Sequence, residues 1–196
     1  MVHSPKNAAL TALPLALALM AASLPSAAEV VNISPSGFLL RHEIVVNLTP
    51  EQAYKTLVND IGSWWNSAHT YSGNAKNLSI DARPGGCFCE QLPNGGGVQH
   101  LAVVTAMPGK LLRLSGALGP MQGSGLAGSM SWQISAVVGS PVGSPADKPA
   151  SKIEMTYSVG GYMQGGFDKM APAANGMLAE QIGRLKNFAN TGKPEQ

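Results

Sequence analysis

Two segments in the second half of the chain alternate apolar and polar residues with a period of two. The apolar sets are Met130, Trp132, Ile134 and Ala136 in SMSWQISAV, and Ile153, Met155, Tyr157 and Val159 in KIEMTYSV. Serine, threonine, glutamine and glutamate fill most of the positions between them. Such alternation is typical of antiparallel strands with one covered face and one wetter face. The chain is therefore predicted to contain an antiparallel sheet.

Three further segments have strand character: GFLLRHEIVVNL, GVQHLAVVTAM and KLLRLSG. The last two are joined by MPGK, which predicts a hairpin turn around Pro108 and Gly109. Period two groups His42 with Phe38, Leu40 and Ile44, and His100 with Val98, Ala102 and Val104. An imidazole on an apolar face is most often a core histidine, but a polar group inside an apolar cavity also orients ligands.

Two segments have helical character. TPEQAYKTLVNDIGSWW places Thr49 at a capping position and Pro50 at the first helical position. The second helix is predicted from about Met170 to the stop at Gly192. Its apolar stripe consists of Met170, Ala174, Leu178, Ile182, Leu185 and Phe188.

The order of these elements predicts one α+β domain in which a curved antiparallel sheet grips the long C-terminal helix. A sheet bent around a helix leaves a gap where the two separate. If Trp132, Met155 and Tyr157 line that gap, it forms an apolar pocket.

The N-terminus has the pattern of a secretory signal peptide over residues 1–28. Lys6 precedes the apolar run AALTALPLALALMAASLP, and the small residues Ser26 and Ala28 suit cleavage before Glu29. The run is short and interrupted compared with the roughly 20 apolar residues of a spanning helix. We therefore expect an exported protein, periplasmic or extracellular, with no stable membrane span after cleavage.

Removal of the signal peptide would leave one domain over residues 38–192, with a linker over 29–37 and a tail over 193–196. A Pro-, Gly- and Ser-rich stretch over 139–150 is predicted to be a flexible insertion. The charge is nearly balanced, with 13 basic and 11 acidic residues. No basic cluster indicates a nucleic-acid partner.

Four strings, WWNSAHTYSG, PGGCFCE, GALGPMQ and VGGY, resemble those of bacterial SRPBCC-domain proteins. These belong to the START-like, helix-grip superfamily, which includes polyketide cyclases and activators of chaperone ATPases. The resemblance covers residues 38–192. It implies an internal cavity for an apolar ligand such as a lipid, sterol or polyketide. We expect no cofactor.

Cys87 and Cys89 in GGCFCE are compatible with a redox pair, half a metal site, or two packed apolar residues. In a regular strand their Cβ atoms would be roughly 6–7 Å apart, whereas a disulfide needs about 3.5–4.5 Å. A stable zinc site needs about four ligands. We therefore expect two free, packed cysteines and no metal.

The string WWNSAHTYSG is predicted to close one end of the cavity. One of the two tryptophans is expected in the core, and the other could either pack in the core or contact a ligand. His69 or Tyr71 would offer the ligand a polar contact. The predicted ligand-binding residues are Trp65, His69, Tyr71, His100, Trp132, Met155 and Tyr157. No catalytic residue is assigned.

The leading hypothesis is an exported carrier for an apolar small molecule. One alternative is a cyclase- or hydrolase-like enzyme that uses His100, His69, Tyr157 or Glu90 as acid or base. Another is a protein-interaction module resembling chaperone ATPase activators, which export disfavours because a cytosolic ATP-driven partner would be absent.

Overall fold

The computed structural model describes residue 1 and residues 28–137 and 149–195 of the chain. Residues 2–27 of the predicted signal peptide and most of the predicted insertion over 139–150 lie outside the described residues. In the described part of the chain, eight strands form one antiparallel sheet in the order β1-β2-β8-β7-β6-β5-β4-β3. The strands are β1 Ala28–Ser34, β2 Gly37–Val46, β3 Leu78–Ile80, β4 Cys87–Gln91, β5 Gly97–Met107, β6 Leu111–Ser115, β7 Ala127–Ala136 and β8 Ser151–Gly160.

Among the described residues, three α-helices accompany the sheet: α1 Pro50–Asn59, α2 Ile61–Trp64 and α3 Met170–Thr191. The predicted cap of α1 is confirmed, because the Thr49 hydroxyl accepts from the Gln52 N–H and the Gln52 side chain accepts from the Thr49 N–H. The long C-terminal helix starts at the predicted Met170 and ends at Thr191, with Gly192 as its C-cap. It packs against β1 and β2.

The predicted α+β architecture is confirmed, with the core between the curved sheet and the helices. The alternation of β7 and β8 is observed except at Ala136, which is exposed at the end of β7. The other members of the two apolar sets are all buried, namely Met130, Trp132, Ile134, Ile153, Met155, Tyr157 and Val159. Four members of the α3 stripe are also buried, Ala174, Leu178, Ile182 and Leu185. The hairpin at Pro108 and Gly109 joins β5 to β6, with Gly109 at φ 73°.

The segment 29–37 is mainly a strand rather than the predicted linker. β1 pairs antiparallel with β2, and Val30 lies opposite Leu40. The turn between them is Pro35–Ser36, followed by Gly37. A Cβ at residue 37 would lie 2.2 Å from the carbonyl oxygen of Val159, so only glycine allows this approach to β8.

The prediction of two free cysteines is wrong: Cys87 and Cys89 form a disulfide. That prediction assumed a regular strand, but the pairing of β4 with β5 shifts register between Phe88 and Cys89. The Cα atoms of the two cysteines are 5.4 Å apart, within the range that a disulfide accepts. β4 is therefore contracted at this point compared with the regular strand on which the prediction was based.

The same register shift changes which residues of β5 are buried, compared with the period-two prediction. Phe88 pairs with Leu101 and Cys89 pairs with Gln99, so His100 is the surplus residue of a β-bulge. His100 and Leu101 are consequently both buried, although they are adjacent in sequence. Beyond the bulge the buried residue is Val103, not the predicted Val104, which is exposed.

Candidate functional site

A pocket of about 270 Å³ lies between the loop that follows α2 and the start of β5. Its walls come from that loop, from β4 and β5, from the turn at residues 118–120 and from α3. They are mainly apolar, and five of the side chains carry aromatic rings. The lining residues are Trp65, Ala68, His69, Thr70, Tyr71, Phe88, His100, Leu118, Gly119, Pro120 and Met177.

The loop is fixed to α3 by polar contacts along one side. The side chain of Gln181, fully buried, accepts a hydrogen bond from the Asn66 N–H at 2.8 Å. Glu180 accepts from the Asn66 side chain and contacts His69 Nε2 at 3.0 Å. The Arg184 guanidinium donates to the carbonyl oxygen of Trp64 at 2.9 Å. Three side chains of one helix therefore position the loop.

Glu90 of β4 fixes the other side of the loop. Its carboxylate accepts hydrogen bonds from the backbone N–H groups of Tyr71 and Ser72. The same carboxylate lies 2.9 Å from Nε2 of His100. Glu90 is only 2% exposed and His100 only 5%. One buried acidic group thus links the pocket loop to the histidine of the bulge.

The protonation states of this pair follow from its surroundings. Burial acts to raise the pKa of Glu90, but hydrogen bonds from Ser72, Tyr71 and His100 outweigh it and hold that pKa below its usual value. Burial lowers the pKa of His100, although Glu90 opposes the shift. Glu90 is therefore ionised and His100 neutral near pH 7. An ionised carboxylate only accepts, so Nε2 of His100 carries the proton and donates it.

The remaining nitrogen of His100 has no such contact. Nδ1 is buried and has no hydrogen-bond partner among the described residues. The rings of Tyr71 and Phe88 lie next to the imidazole, with centroids at 5.9 and 4.8 Å and tilts of 31° and 34°. The imidazole is thus positioned by Glu90 at one nitrogen and packed by two aromatic rings, while the other nitrogen is an unused acceptor.

The two neighbouring tryptophans have different roles. Trp64 is 1% exposed, and its indole N–H donates to the carbonyl oxygen of Thr56, which places it in the core. Trp65 lines the pocket, contacts Phe88 at a ring distance of 5.5 Å and donates to the carbonyl oxygen of His69 at 3.0 Å. Trp65 therefore both forms a wall and holds the loop.

The structure brings four of the seven predicted ligand-binding residues together, namely Trp65, His69, Tyr71 and His100. The other three are buried in the core, with Trp132 at 4%, Met155 at 1% and Tyr157 at 0% exposure. Trp132 borders only a void of about 10 Å³ beside α1 and α2. The gap in which a ligand was expected to contact Trp132 is filled at this point by the protein's own side chains.

Tyr157 does not line the pocket, but its hydroxyl positions a residue that does. Its hydroxyl accepts from the Leu118 N–H at 2.7 Å and donates to the carbonyl oxygen of Gly116 at 3.2 Å. Burial raises the pKa of Tyr157 to about 12, so the donor proton is retained. Leu118 lines the pocket, and Tyr157 thereby positions one of its walls.

Replacement of Tyr157 by phenylalanine tests this positioning. We expect Tyr157→Phe to lower the free energy of unfolding by about 1–3 kcal/mol, because two buried backbone groups lose their partner. Tyr54→Phe is a matched control, since the Tyr54 hydroxyl is buried with no partner among the described residues. Urea denaturation measures both, and an equal loss in the two variants would contradict the assigned role.

Sequence reasoning missed the polar residues that hold the loop, above all Gln181. The signal was present, because this glutamine stands between Leu178 and Ile182 on the face of α3 that was predicted to be buried. A polar side chain on such a face needs a partner. Its partner is in the WWNSAHTYSG string, 115 residues away.

The sequence matches no protein-family model and no curated protein. Solved structures do match. A conserved protein of unknown function from Enterococcus faecalis has a TM-score of 0.53 at 11% identity, over 86% of this chain and 78% of its own. CalU16 from Micromonospora echinospora matches with a TM-score of 0.51 at 10% sequence identity, and the match covers 88% of each chain.

The Aha1 dimer from Colwellia psychrerythraea is a third match, with a TM-score of 0.50 at 21% identity over 79% of this chain and 98% of its own. The chain has a helix-grip fold. At these identities the likeness establishes the architecture and nothing finer. The helix-grip prediction is confirmed at that level.

Two further properties concern the described residues only. Over 28–137 and 149–195, no helix combines the length and the hydropathy needed to cross a bilayer. In the same ranges, no three His, Cys, Asp or Glu side chains come together as a metal site.

Proposed function

We propose that this protein is an exported carrier that holds a small, mainly apolar aromatic molecule in the pocket beside the loop of residues 65–71. The observation that carries the proposal is the pocket itself, with its apolar walls and the rings of Trp65, Tyr71, Phe88 and His100. Pockets for small molecules have this character: mostly apolar and aromatic walls with a few placed polar groups.

The volume narrows the class of ligand. At about 270 Å³ the pocket is slightly below the roughly 300–1,000 Å³ typical of drug-sized ligands. A sterol or a long-chain lipid exceeds it, whereas a molecule of one or two aromatic rings fits. Flat rings also match the walls, because aromatic side chains favour offset or edge-to-face contacts with other rings.

Two observations support export. Residues 1–28 have the pattern of a signal peptide. Cys87 and Cys89 form a disulfide, and such bonds persist in oxidising compartments but are rare in the cytosol.

Equilibrium dialysis against one-ring and two-ring aromatics, stearate and cholesterol tests the carrier proposal. We expect retention of the two-ring compounds and none of the sterol. Binding should quench tryptophan fluorescence in the wild type and in Trp64→Phe, but much less in Trp65→Phe, because only Trp65 lines the pocket. No retention of any aromatic at millimolar concentration would overturn the proposal.

The Glu90–His100 contact favours a second candidate function, general-base catalysis on the bound molecule. A carboxylate that orients an imidazole is a common arrangement of general bases, and this role also requires a movement that brings the buried Nδ1 within reach of the bound molecule. If a turnover is found, His100→Phe should abolish it while Tyr54→Phe leaves it intact. Retained turnover in His100→Phe would exclude this role.

A further inference from the structure

The pocket has no charged side chain in its walls, but carboxylates contact those walls from behind. Among the described residues that line it, none is Lys, Arg, Asp or Glu. Glu90 accepts a hydrogen bond from the N–H of Tyr71 and lies 2.9 Å from Nε2 of His100, and both of these residues are walls. Glu180 lies 3.0 Å from His69, a third wall. Each carboxylate is therefore in direct contact with the pocket wall.

The charge of Glu90 has no cationic partner. Its carboxylate is ionised and 2% exposed, and its hydrogen bonds come from the N–H groups of Tyr71 and Ser72 and from the neutral His100. In the described part of the chain, no Lys or Arg forms an ion pair with it. Hydrogen bonds from neutral donors stabilise a carboxylate but leave its net charge. That charge acts more strongly on its surroundings where water is excluded.

The other charges beside the loop do not reverse this sign. Arg184 forms an ion pair with Glu195 at 3.0 Å, and a protonated His69 would be matched by Glu180. The charge of Glu90 therefore remains unbalanced next to the pocket. A pocket with an excess of one sign of charge and low-dielectric walls attracts ligands of the opposite sign.

We propose that the ligand is an aromatic cation, a flat ring system with one positive charge, and that Glu90 selects this charge from behind the pocket wall. The inference deepens the carrier function proposed above and rests on it. Such a molecule is still mainly apolar, because its charge is delocalised over the ring. The walls suit it as well, since a cation over the face of an aromatic ring is attracted electrostatically. Tyr71 lines the pocket and is 54% exposed, so its ring is open to a ligand.

Three probes of similar shape separate the charge from the ring. 1-Methylquinolinium is a cation, 4-methylquinoline is its neutral isomer in heavy atoms, and quinoline-4-carboxylate is an anion. Equilibrium dialysis against the full protein at pH 8 gives a Kd for each. We expect the cation to bind about tenfold or more tightly than the neutral probe, the effect of a unit charge about 8–10 Å away at an effective dielectric constant of about 20. The anion should bind more weakly than both.

Two variants assign the preference to the residue. Glu90→Gln removes the charge and keeps an oxygen acceptor, so the tenfold advantage of the cation should fall to about twofold or less while the neutral probe keeps its Kd. A merely structural role would weaken both probes equally. Glu154→Gln is the matched control, because it removes the same charge from an ion pair with Arg41 and Glu154 does not line the pocket or contact its walls. This variant should keep the tenfold advantage.

A measurement on the wild type covers the case in which Glu90→Gln does not fold. Salt screens exposed charges and affects buried ones much less. Because Glu90 is 2% exposed, the advantage of 1-methylquinolinium should change by less than about twofold between about 0.05 and 0.5 M NaCl. Loss of the advantage at high salt would assign it to exposed groups such as Glu180, which is 42% exposed, and would overturn the role of Glu90.

The outcomes separate the inference from the function on which it rests. Equal binding of 1-methylquinolinium and 4-methylquinoline, or an undiminished preference in folded Glu90→Gln, overturns the selection of a cation by Glu90 and leaves the aromatic carrier standing. Failure of all three probes to bind at millimolar concentration overturns the carrier and the inference together.

Discussion

Replacement of Glu90 by alanine should lower the free energy of unfolding by about 3–5 kcal/mol, because three donors lose one charged acceptor and a hydrogen bond to a charged group contributes about 1.5–3 kcal/mol. The carboxylate accepts from the N–H groups of Tyr71 and Ser72 and contacts His100 at 2.9 Å, and it is 2% exposed. Without it, the buried His100 side chain and the part-buried N–H groups of Tyr71 and Ser72 lose their acceptor. Thermal unfolding should show a fall in Tm on the order of 10 °C.

Glu180→Ala is a control on the same loop. Glu180 accepts from Asn66 and contacts His69, but its side chain is 42% exposed. Water replaces these contacts when the side chain is removed, so we expect a loss of about 1 kcal/mol or less. Equal losses in the two variants would show that burial is not the reason for the importance of Glu90.

Replacement of Trp132 by alanine should lower the free energy of unfolding by about 3–5 kcal/mol, the range for removal of a large core side chain. Trp132 is 4% exposed and borders a void of only about 10 Å³, with Leu57, Trp64 and Met130 among its neighbours there. Removal of the indole opens a dry cavity between the sheet and the helices. Urea denaturation measures the loss.

Indole should restore part of the stability of Trp132→Ala, because a ligand that binds only the folded state raises the free energy of unfolding. Gln133→Ala is the control, since Gln133 is the exposed neighbour on the same strand, and we expect a change within about 0.5 kcal/mol. A loss below about 1 kcal/mol for Trp132→Ala would mean that this part of the interior is open, as the sequence first suggested.

Local patterns predicted most of the fold because they depend on neighbouring residues alone. The alternation around Trp132 and Tyr157, the cap at Thr49 and the stop at Gly192 each report a local preference, and each is observed. β1 escaped prediction because it follows the signal pattern directly, and its segment from Glu29 onward was assigned to a linker. Its pairing with β2 is what makes it a strand.

Four of the predicted ligand-binding residues line one pocket, but the contacts that position them were not predicted. Trp65, His69, Tyr71 and His100 were selected as rings and titratable groups, and they do line one pocket. The contact of His100 with Glu90 was not foreseen, because a surplus residue in β5 breaks the period on which the prediction depended. A bulge depends on the pairing of two strands, and period-two analysis of one strand does not contain that information.

The disulfide of β4 has a practical consequence for anyone who prepares this protein. Chain made in a reducing cytoplasm would carry two thiols in place of the bond between Cys87 and Cys89. Phe88, a wall of the pocket, is the residue between them. We expect the reduced protein to have a different pocket wall at Phe88 and therefore a different ligand affinity. Each preparation should be assayed for free thiols before its affinity is measured.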